Sequence, residues 1–457
     1  MRKSQSPEVH SRLTAVPIPF GEACSIVAAQ SAAILESREW ERESCDLLDA
    51  LGRRLAEPLM ADRDQPPFPR VTRDGFAVRS QDLTTGAPLR VVGQLRAGEA
   101  WPAGNLPLAV GEAVEIMTGA PLPPGADAVL MVERAQEVSR NPPRNSDVEL
   151  SKDRFVLPDP HQSLAPGENV VPQGGEARRG DVLLEPGLRL GPERVALAAA
   201  CGLLSVRVYA KPKVAILATG DELVEPAGQQ HSRRAGSGDL RVPIEPHQIY
   251  NSNSHAIASL VHGAGGIPLR RPAARDEVDD LRDSIRWGLD AAPLLLLTGG
   301  VSMGKFDLVE KVLAGIGAEF FFTGVKMQPG KPVVFGRVPA RDRRPARYFF
   351  GLPGNPVSAM VTFRVFVTPL LAALAGERGW QPNVALARLG AEFQTKPGLM
   401  RFVPANLNTS HSVPIVTPLR TQGSGDLAAN ARSNCYLIAP EDCDRLAEGQ
   451  MVKVLLR

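Results

Sequence analysis

The stretch LLLLTGGVSMG at residues 294–304 decides the class of fold. Its four consecutive leucines predict a strand that is buried on both faces, because a strand with one face in water alternates apolar and polar residues. The glycines that follow would let the backbone pass close to a ligand. From residue 209 to residue 374, apolar strands alternate with amphipathic helices. This pattern predicts a mainly parallel, three-layer α/β/α sheet that binds ligands at the carboxyl ends of its strands.

Two further glycine-rich turns follow apolar strands of the same predicted sheet. The turn TGDE at residues 219–222 comes after the strand at 214–218, and GLPGNPVS at 351–358 comes after the strand at 348–350. A helix that begins after each turn would offer free backbone amides to a phosphate. One such turn is often only chain geometry, but three turns at one sheet edge predict a single ligand crevice.

A turn bounded by prolines lies between the second and third glycine-rich turns. Its sequence is MQPGKP, residues 327–332, and it would hold the Lys331 ammonium at a fixed place next to Pro332. A fixed ammonium suits a phosphate or another tetrahedral oxyanion. The alternative is an ordinary surface lysine at a turn.

Several carboxylates fall in or beside these motifs and suit a magnesium site. They are Asp74, Asp221, Glu222, Asp276 and Asp307. Mg²⁺ is usually held by one or two carboxylates together with substrate phosphates. Asp276 and Asp307 each precede a predicted helix, so helix N-capping is the favoured alternative for either residue taken alone. None of the 7 histidines lies in these motifs, which argues against a His-based triad or a zinc hydrolase.

The rest of the chain predicts three units around an α/β domain at residues 209–375. Residues 15–58 and 166–208 predict a small, discontinuous helical linking domain. Residues 59–165 carry short β-type runs broken by Gly and Pro, which is typical of a β-rich inserted domain. Residues 376–457 return to short strands with glycine turns and predict a C-terminal β-barrel.

Composition limits the partners and the compartment. The 52 Lys and Arg residues nearly balance the 50 Asp and Glu residues, so no overall field would attract nucleic acid or an anionic membrane. The 5 cysteines show no CxxC spacing, which argues against a disulfide framework and a structural zinc site. No signal peptide is recognisable, and no apolar run approaches the roughly 18 residues of a membrane-spanning helix. We expect a soluble, cytoplasmic protein.

A series of motifs resembles the molybdopterin molybdenumtransferases, the family that includes the E domain of gephyrin. In chain order the motifs are DGFA at 74–77, IMTGAP at 116–121, GADAV at 125–129, TGDEL at 219–223, GGVSMG at 299–304, PGKP at 329–332 and GLPGNPVS at 351–358. The resemblance covers about residues 17–457. An ordered series of this length is far more specific than any one motif.

The resemblance implies the last step of molybdenum cofactor synthesis, in which adenylylated molybdopterin and molybdate react with Mg²⁺ to give the cofactor and AMP. It implies catalytic roles for Asp74, Thr118 and Glu222. The metal ligands expected from the motifs are Asp221, Asp276 and Asp307. The substrate-binding residues expected from the turns and the resemblance are Gly299, Gly300, Ser302, Lys331, Pro332, Gly354, Asn355 and Ser358.

The resemblance also implies partners. The family works as an elongated homodimer, in which Asp74 and Thr118 of one subunit would complete the site on the α/β domain of the other. An upstream molybdopterin adenylyltransferase would supply the substrate, and molybdoenzymes would receive the product.

Four positions depart from the family pattern. Asn251 and Ala177 stand where an Asp is common, Gln328 where a Lys is common, and Pro404 where an Arg is common. Two hypotheses follow: an active molybdenum insertase, or a protein of the same fold that binds or delivers the pterin without insertion. A weaker third is another nucleotide or phosphate transferase on a similar sheet.

Overall fold

The computed structural model describes residues 16–37, 39–102, 106–139, 154–159, 163–226, 243–299, 306–341 and 344–457. Three six-stranded sheets organise this part of the chain. One lies in the predicted α/β region, one in the predicted inserted region, and one in the C-terminal region.

The sheet of the α/β region is mixed but mainly parallel. From one edge to the other its strands are Ile267–Arg270, Lys213–Ala218, Leu294–Thr298, Arg347–Leu352, Val334–Val338 and Glu319–Phe322. Five strands run in the same direction, and Val334–Val338 runs against them. The mainly parallel sheet expected from the alternation of strands and helices is confirmed.

Helices cover both faces of this sheet. Leu294 and Leu296 point to one face and Leu295 and Leu297 to the other, and all four are almost fully buried. Successive strand residues alternate between faces, so a strand covered on both sides has to be apolar throughout. The helices are Ser252–Gly263 and Pro356–Thr362 on the first face, and Val278–Ala291 and Phe306–Gly315 on the second.

The longest apolar helix runs from Pro356 to Leu374 and closes the α/β region. It consists of Pro356–Thr362, a π-helical turn at Phe363–Val367, and Thr368–Leu374. By length and composition this helix could cross a membrane, so the expectation that no apolar run approaches that length is wrong. However, 72% of it is buried inside the structure, which is typical of a core helix.

The inserted region forms the second six-stranded sheet. Its strands in order are Ala128–Met131, Gly75–Val78, Glu112–Ile116, Leu89–Leu95, Arg154–Pro158 and Ala135–Ser139. Its buried residues, such as Phe76, Val114 and Leu130, come from strands that the β-type runs predict. The β-rich character of this region is confirmed.

Three short antiparallel strand pairs join the two chain segments that flank the inserted sheet. They are Arg42–Asp46 with Ser205–Tyr209, Leu59–Met60 with Val182–Leu184, and Arg70–Val71 with Val170–Val171. One helix, Pro192–Ala200, lies in this region. The first helix, Phe20–Ser37, instead packs against Thr368–Leu374 and buries Ala23 and Val27 in the α/β core.

The C-terminal region closes into a five-stranded barrel. The strands are Val384–Leu389, Met400–Asn408, Ile415–Pro418, Cys435–Ala439 and Met451–Leu456. Pairing of Met400–Asn408 with both Ile415–Pro418 and Cys435–Ala439 closes the ring. A further pair, Phe393–Gln394 with Arg445–Leu446, and the helix Leu427–Arg432 complete the region. The short strand Met327–Gln328 of the α/β region pairs in parallel with the start of Met400–Asn408.

The first glycine-rich turn is not followed by a helix, contrary to the prediction. The short strand Leu223–Val224 follows it and pairs in parallel with Ile249–Tyr250, and among the described residues 219–226 and 243–263 the next helix begins at Ser252. This pairing joins residues 26 positions apart, which no local sequence pattern indicates. The 5 cysteines are all free, in keeping with the predicted absence of a disulfide framework.

Candidate functional site

A cleft of about 940 Å³ lies at the carboxyl edge of the α/β sheet. The turns that follow the strands Lys213–Ala218, Leu294–Thr298 and Arg347–Leu352 all contribute to its lining. The barrel strand Met400–Asn408 and the loop at 421–424 form another part of the wall. The structure therefore brings the three glycine-rich turns together at one crevice between the α/β sheet and the barrel.

The glycine at position 299 is required by the close approach of the first two turns. Its φ is +86°, and a Cβ built on it would lie 2.3 Å from the backbone oxygen of Thr219. The turns are also tied by the Thr219 N–H, which donates to the Thr298 carbonyl at 2.9 Å. A Cβ on Gly354 of the third turn would lie 3.6 Å from the Gly299 Cα. The three turns are thus in direct contact.

The lysine turn reaches the same cleft. Gly330 has a φ of +116°, and a Cβ on it would lie 2.5 Å from Thr362 Cγ2, so only glycine lets this turn pack on the helix Pro356–Thr362. Lys331 and Pro332 line the cleft and are exposed. No carboxylate of the described chain lies within ion-pair distance of the Lys331 ammonium. Among the described residues, therefore, no acidic side chain neutralises the Lys331 ammonium.

The third turn is held by contacts that the sequence pattern does not indicate. The Asn355 Nδ2 donates to Ser424 Oγ at 2.7 Å, and the Val357 N–H donates to the Ser424 carbonyl at 3.2 Å. Asn253 Nδ2 donates to the Gly354 carbonyl at 2.6 Å. The barrel loop therefore occupies one of the helix N-terminal amides that we expected to be free for phosphate. Ser358 remains in the lining and is largely buried.

Two hydroxyls at this edge have unused hydrogen-bonding capacity. The Oγ1 atoms of Thr219 and Thr298 are buried and have no hydrogen-bond partner in the described part of the chain. Buried polar groups are normally paired, so such atoms are expected beside a ligand site. Neither threonine was predicted as a site residue, although each directly precedes a glycine of a predicted turn.

Of the predicted acidic residues, Glu222 contributes to the cleft lining, and Asp221 follows Gly220 in the same turn. The Glu222 carboxylate turns back over Gly220, where an added Cβ would lie 2.6 Å from Glu222 Oε2. The neighbouring Asp221 is exposed and accepts a hydrogen bond from the Asp276 N–H at 3.2 Å. Asp276 does not cap the helix Val278–Ala291, because the residue at the N-cap is Glu277, which makes no capping bond.

These acidic residues fit Mg²⁺. Within the described residues, no group of three or more His, Cys, Asp or Glu side chains is close enough to hold a metal ion. Mg²⁺ does not need such a cage, since it takes one or two carboxylates and completes its shell with water and substrate phosphates. Asp221 and Asp276 supply hard oxygen donors next to the turns that would hold a phosphate.

Asp74 and Thr118 are adjacent to each other but do not line the cleft. Asp74 accepts hydrogen bonds from the Thr118 backbone N–H at 2.7 Å and from Thr118 Oγ1 at 2.8 Å. These two bonds, first the backbone and then the side-chain one, lower the pKa of the Asp74 carboxyl. Both residues are exposed on the inserted sheet. Within one chain, therefore, the predicted catalytic residues fall into two separate groups.

Three predicted site residues cannot be placed in full. Gly300 and Ser302 lie outside the described residues. The backbone of Asp307 lies in the first turn of the helix Phe306–Gly315, but its side chain is outside the description. Asp307 therefore does not precede the helix, as the capping alternative would require.

The four departures from the family pattern fall into two pairs. Gln328 and Pro404 line the cleft. Asn251 instead caps the helix Ser252–Gly263, where its side chain accepts from the Ser254 N–H and donates to Glu225 Oε1 at 2.6 Å. Ala177 pairs by backbone hydrogen bonds with Gln65, outside the cleft lining. Only the first pair contributes to the cleft lining.

One cation of the cleft was missed by the sequence analysis as a site residue. Arg401 lines the cleft from the barrel strand Met400–Asn408. Nothing local marked it, because the barrel lies about 70 residues from the lysine turn along the chain and only the strand pairing brings the two together. Lys331 and Arg401 are the cations of the described lining.

Family models match nearly the whole chain. Residues 18–202 match the MoeA N-terminal region (domain I and II), residues 215–373 a probable molybdopterin binding domain, and residues 386–456 the MoeA C-terminal region (domain IV). The three matches follow one another in the order of the inserted region, the α/β sheet and the barrel.

Relatives and solved structures agree with these matches. A molybdopterin molybdenumtransferase of Bacillus subtilis (strain 168) is 33% identical over 96% of this chain and 94% of its own length. One of Nostoc sp. is 32% identical over 92% of this chain and 90% of its own length. The crystal structure of a molybdopterin biosynthesis moeA protein from Pyrococcus horikoshii OT3 has a TM-score of 0.70 at 26% identity, covering 97% of this chain and 100% of that one. The chain therefore belongs to the molybdopterin molybdenumtransferase family, transferases of molybdenum cofactor biosynthesis that act on molybdopterin.

Proposed function

We propose that this protein inserts molybdate into adenylylated molybdopterin, in a Mg²⁺-dependent reaction that releases AMP. The observation that carries this proposal is the convergence of three glycine-rich turns with Lys331 and Glu222 in one cleft. Such a cleft offers backbone donors for a phosphate and a cation for a second oxyanion. An insertase has to bind two anionic substrates side by side, and the cleft is suited to both.

The chain's own residues would divide the binding between them. The backbone of Gly299 and Gly354 would hold the pterin phosphates, together with Gly300 and Ser302 of the same predicted motif. Lys331 and Ser358 would hold molybdate, with Asn355 and Pro332 fixing their turns. The Thr219 hydroxyl, which lines the cleft and has no hydrogen-bond partner in the described part of the chain, would donate to the same ligand. Glu222 would orient water or substrate in the cleft.

Mg²⁺ would be held by Asp221 and Asp276, with Asp307 as the third carboxylate that the motif pattern predicts. When bound, it would neutralise charge on the phosphoanhydride that is cleaved to release AMP. The proposal requires only that these carboxylates lie beside the turns that would bind phosphate. Asp221 meets this requirement, because its sequence neighbours Gly220 and Glu222 both line the cleft.

Asp74 and Thr118 would act in trans in a homodimer. They form a hydrogen-bonded, exposed pair outside the cleft of their own chain, so a second subunit has to bring them to it. The two bonds from Thr118, first the backbone N–H and then the hydroxyl, stabilise the ionised Asp74 carboxylate and lower its pKa. A homodimer acting in the cytoplasm, between an adenylyltransferase and recipient molybdoenzymes, is part of this proposal.

The second candidate is a binding or delivery protein of the same fold. Gln328 and Pro404, which lack the charge that is common at their positions, both line the cleft. Loss of a cation that makes a charge-assisted hydrogen bond costs about 1.5–3 kcal/mol, enough to weaken molybdate binding strongly.

The two candidates are separated by product formation. Purified protein is incubated with adenylylated molybdopterin, molybdate and Mg²⁺, and both AMP release and reconstitution of an apo-molybdoenzyme are measured. The insertase gives both products with Mg²⁺ and neither with EDTA, while Glu222→Gln loses both. Tight pterin binding without AMP or active cofactor would reject the insertase and leave the binding protein.

A further inference from the structure

Arg401 lies directly opposite Gln328 across a strand pair. The strands Met327–Gln328 and Met400–Asn408 run in parallel, and their register places Met327 beside Met400 and Gln328 beside Arg401. Register neighbours on adjacent strands project to the same side of a sheet. Both Gln328 and Arg401 line the cleft, so a positive charge stands beside the position that lacks the family's common lysine.

The Arg401 guanidinium has donors to spare. Its Nη2 donates to the Lys396 carbonyl at 3.0 Å, which fixes the direction of the side chain. Its Nε is buried and has no hydrogen-bond partner in the described part of the chain. No described carboxylate pairs with the guanidinium. Because a buried unpaired donor costs about 1–3 kcal/mol, a site of this kind is expected to receive an acceptor from a ligand.

The distribution of charge in the cleft also favours a bound anion at Arg401. The position three residues further along the barrel strand is Pro404, which can offer neither charge nor backbone donor. Lys331 and Arg401 therefore carry all the positive charge of the described lining. A tetrahedral dianion needs more than one cation, and an arginine binds it through two parallel N–H groups where a lysine offers a single point charge.

We propose that Arg401 binds the tetrahedral oxyanion substrate in this cleft together with Lys331, in place of the cation absent at position 328. This inference rests on the proposed function and assigns the second cation of the molybdate site to the barrel rather than to the lysine turn. It makes the cleft of this chain competent for two-point oxyanion binding despite Gln328 and Pro404.

The test measures oxyanion affinity of the intact purified protein by isothermal titration with molybdate, and separately with inorganic phosphate. Arg401→Gln should weaken molybdate binding on the order of 10- to 100-fold, the loss of one charged hydrogen-bonded pair. Arg388→Gln is the matched control, since Arg388 is an exposed arginine of the same barrel that does not line the cleft. Its affinity should equal that of the wild type.

Two variants at the opposing position make the test independent of any folding defect in Arg401→Gln. Gln328→Glu places a carboxylate beside an unaltered Arg401 and should also weaken molybdate binding, because it pairs the guanidinium. Adding Gln328→Lys to Arg401→Gln should restore most of the lost affinity, since it returns a cation to the same strand pair. Unchanged molybdate affinity in Arg401→Gln and Gln328→Glu would overturn the inference.

The other outcomes separate this inference from the proposed function. If Arg401→Gln weakens phosphate binding but not molybdate binding, Arg401 belongs to the pterin-phosphate subsite and the inference is wrong. If the wild type releases AMP with molybdate while Arg401→Gln binds molybdate normally, the proposed function stands and the inference fails. If molybdate binding depends on Arg401 but no AMP is released, the inference stands and the insertase is rejected.

Discussion

The backbone at Gly299 is the tightest point of the cleft at the scale of single residues. Its positive φ and the 2.3 Å approach of a Cβ to the Thr219 oxygen each exclude other residues. The sequence predicted that the backbone passes close to a ligand at this glycine. The structure adds a second reason for glycine, which is contact between neighbouring turns.

Gly299→Ala should destabilise the protein more than the same substitution at a glycine that has a similar φ but open space around an added Cβ. Gly449 has a φ of +82° and nothing within 4 Å of an added Cβ, so Gly449→Ala measures the cost of the backbone conformation alone. The extra cost at Gly299 should be about 2 kcal/mol, because backbone atoms have to move. The melting temperatures of the two variants check this. Equal values would show that the turns separate easily.

Thr118→Val should raise the pKa of Asp74. The pKa of this carboxyl is lowered first by the Thr118 N–H and then by the Thr118 hydroxyl, and valine removes only the hydroxyl. A carboxyl with a lowered folded-state pKa contributes stability above its unfolded pKa of about 3.9 and loses that contribution as the pH falls through the folded value. The loss of this contribution to the free energy of unfolding should therefore begin at a higher pH in Thr118→Val than in the wild type. A carbon-detected NMR titration measures the pKa of the Asp74 carboxyl in both proteins, and Thr84→Val is the control variant. An unchanged Asp74 pKa in Thr118→Val would contradict the account.

At the scale of elements, the helix Ser252–Gly263 depends on Asn251. The Asn251 side chain accepts from the Ser254 N–H and donates to Glu225, which also pairs with Arg270. An Asp could cap the helix equally well but could not donate to Glu225. The asparagine at this position therefore stabilises the packing of this helix. This role can be recognised only when the position of Glu225 is known.

Asn251→Ala and Asn251→Asp should destabilise this helix in different ways. The alanine loses the cap, at a cost of about 1 kcal/mol at any pH. The aspartate keeps the cap but places a carboxylate against Glu225, so its stability deficit should shrink as the pH falls and one carboxyl is protonated. Thermal melting at about pH 7.5 and about pH 5 compares the two. A deficit of Asn251→Asp that is the same at both pH values would show that the carboxylates do not meet.

The strands and helices of the α/β region could be predicted because their signals are local. The leucine run at 294–297 and the helix stripes at 278–289 carry their periodicity within a few residues. Two strand pairings could not be predicted, because both depend on contacts between distant segments. They join Leu223–Val224 to Ile249–Tyr250, and Gln328 to Arg401. The same limit explains why Arg401 and Ser424 were missed while Lys331 was found.

At the scale of the whole molecule, the site residues carried over from the family divide between two surfaces. Gly299, Gly354 and Lys331 lie in the cleft, whereas Asp74 and Thr118 lie on the inserted sheet. The sequence predicted both groups and an arrangement in trans from the family resemblance. Single-chain geometry accounts for the first group only, and under the proposed arrangement in trans a second subunit would supply the other.

Mixed dimers should recover activity if the site is shared between subunits. Asp74→Asn and Glu222→Gln would each be inactive alone, but a heterodimer of the two keeps one intact site, with roughly half of the wild-type turnover per dimer. Co-expression with two different tags and measurement of AMP release checks this. The control is Glu222→Gln with Lys331→Gln, which damages both clefts and should recover nothing. Absence of recovery in the first pair would contradict a site that is shared between subunits.

The most direct test of insertion is a single-turnover measurement of products with the wild-type protein in excess over adenylylated molybdopterin. With molybdate and Mg²⁺, AMP and pterin-bound molybdenum should form in equal amounts and at the same rate. AMP without incorporated molybdenum, or bound pterin recovered unchanged, would contradict the assignment of this cleft as a molybdenum insertase.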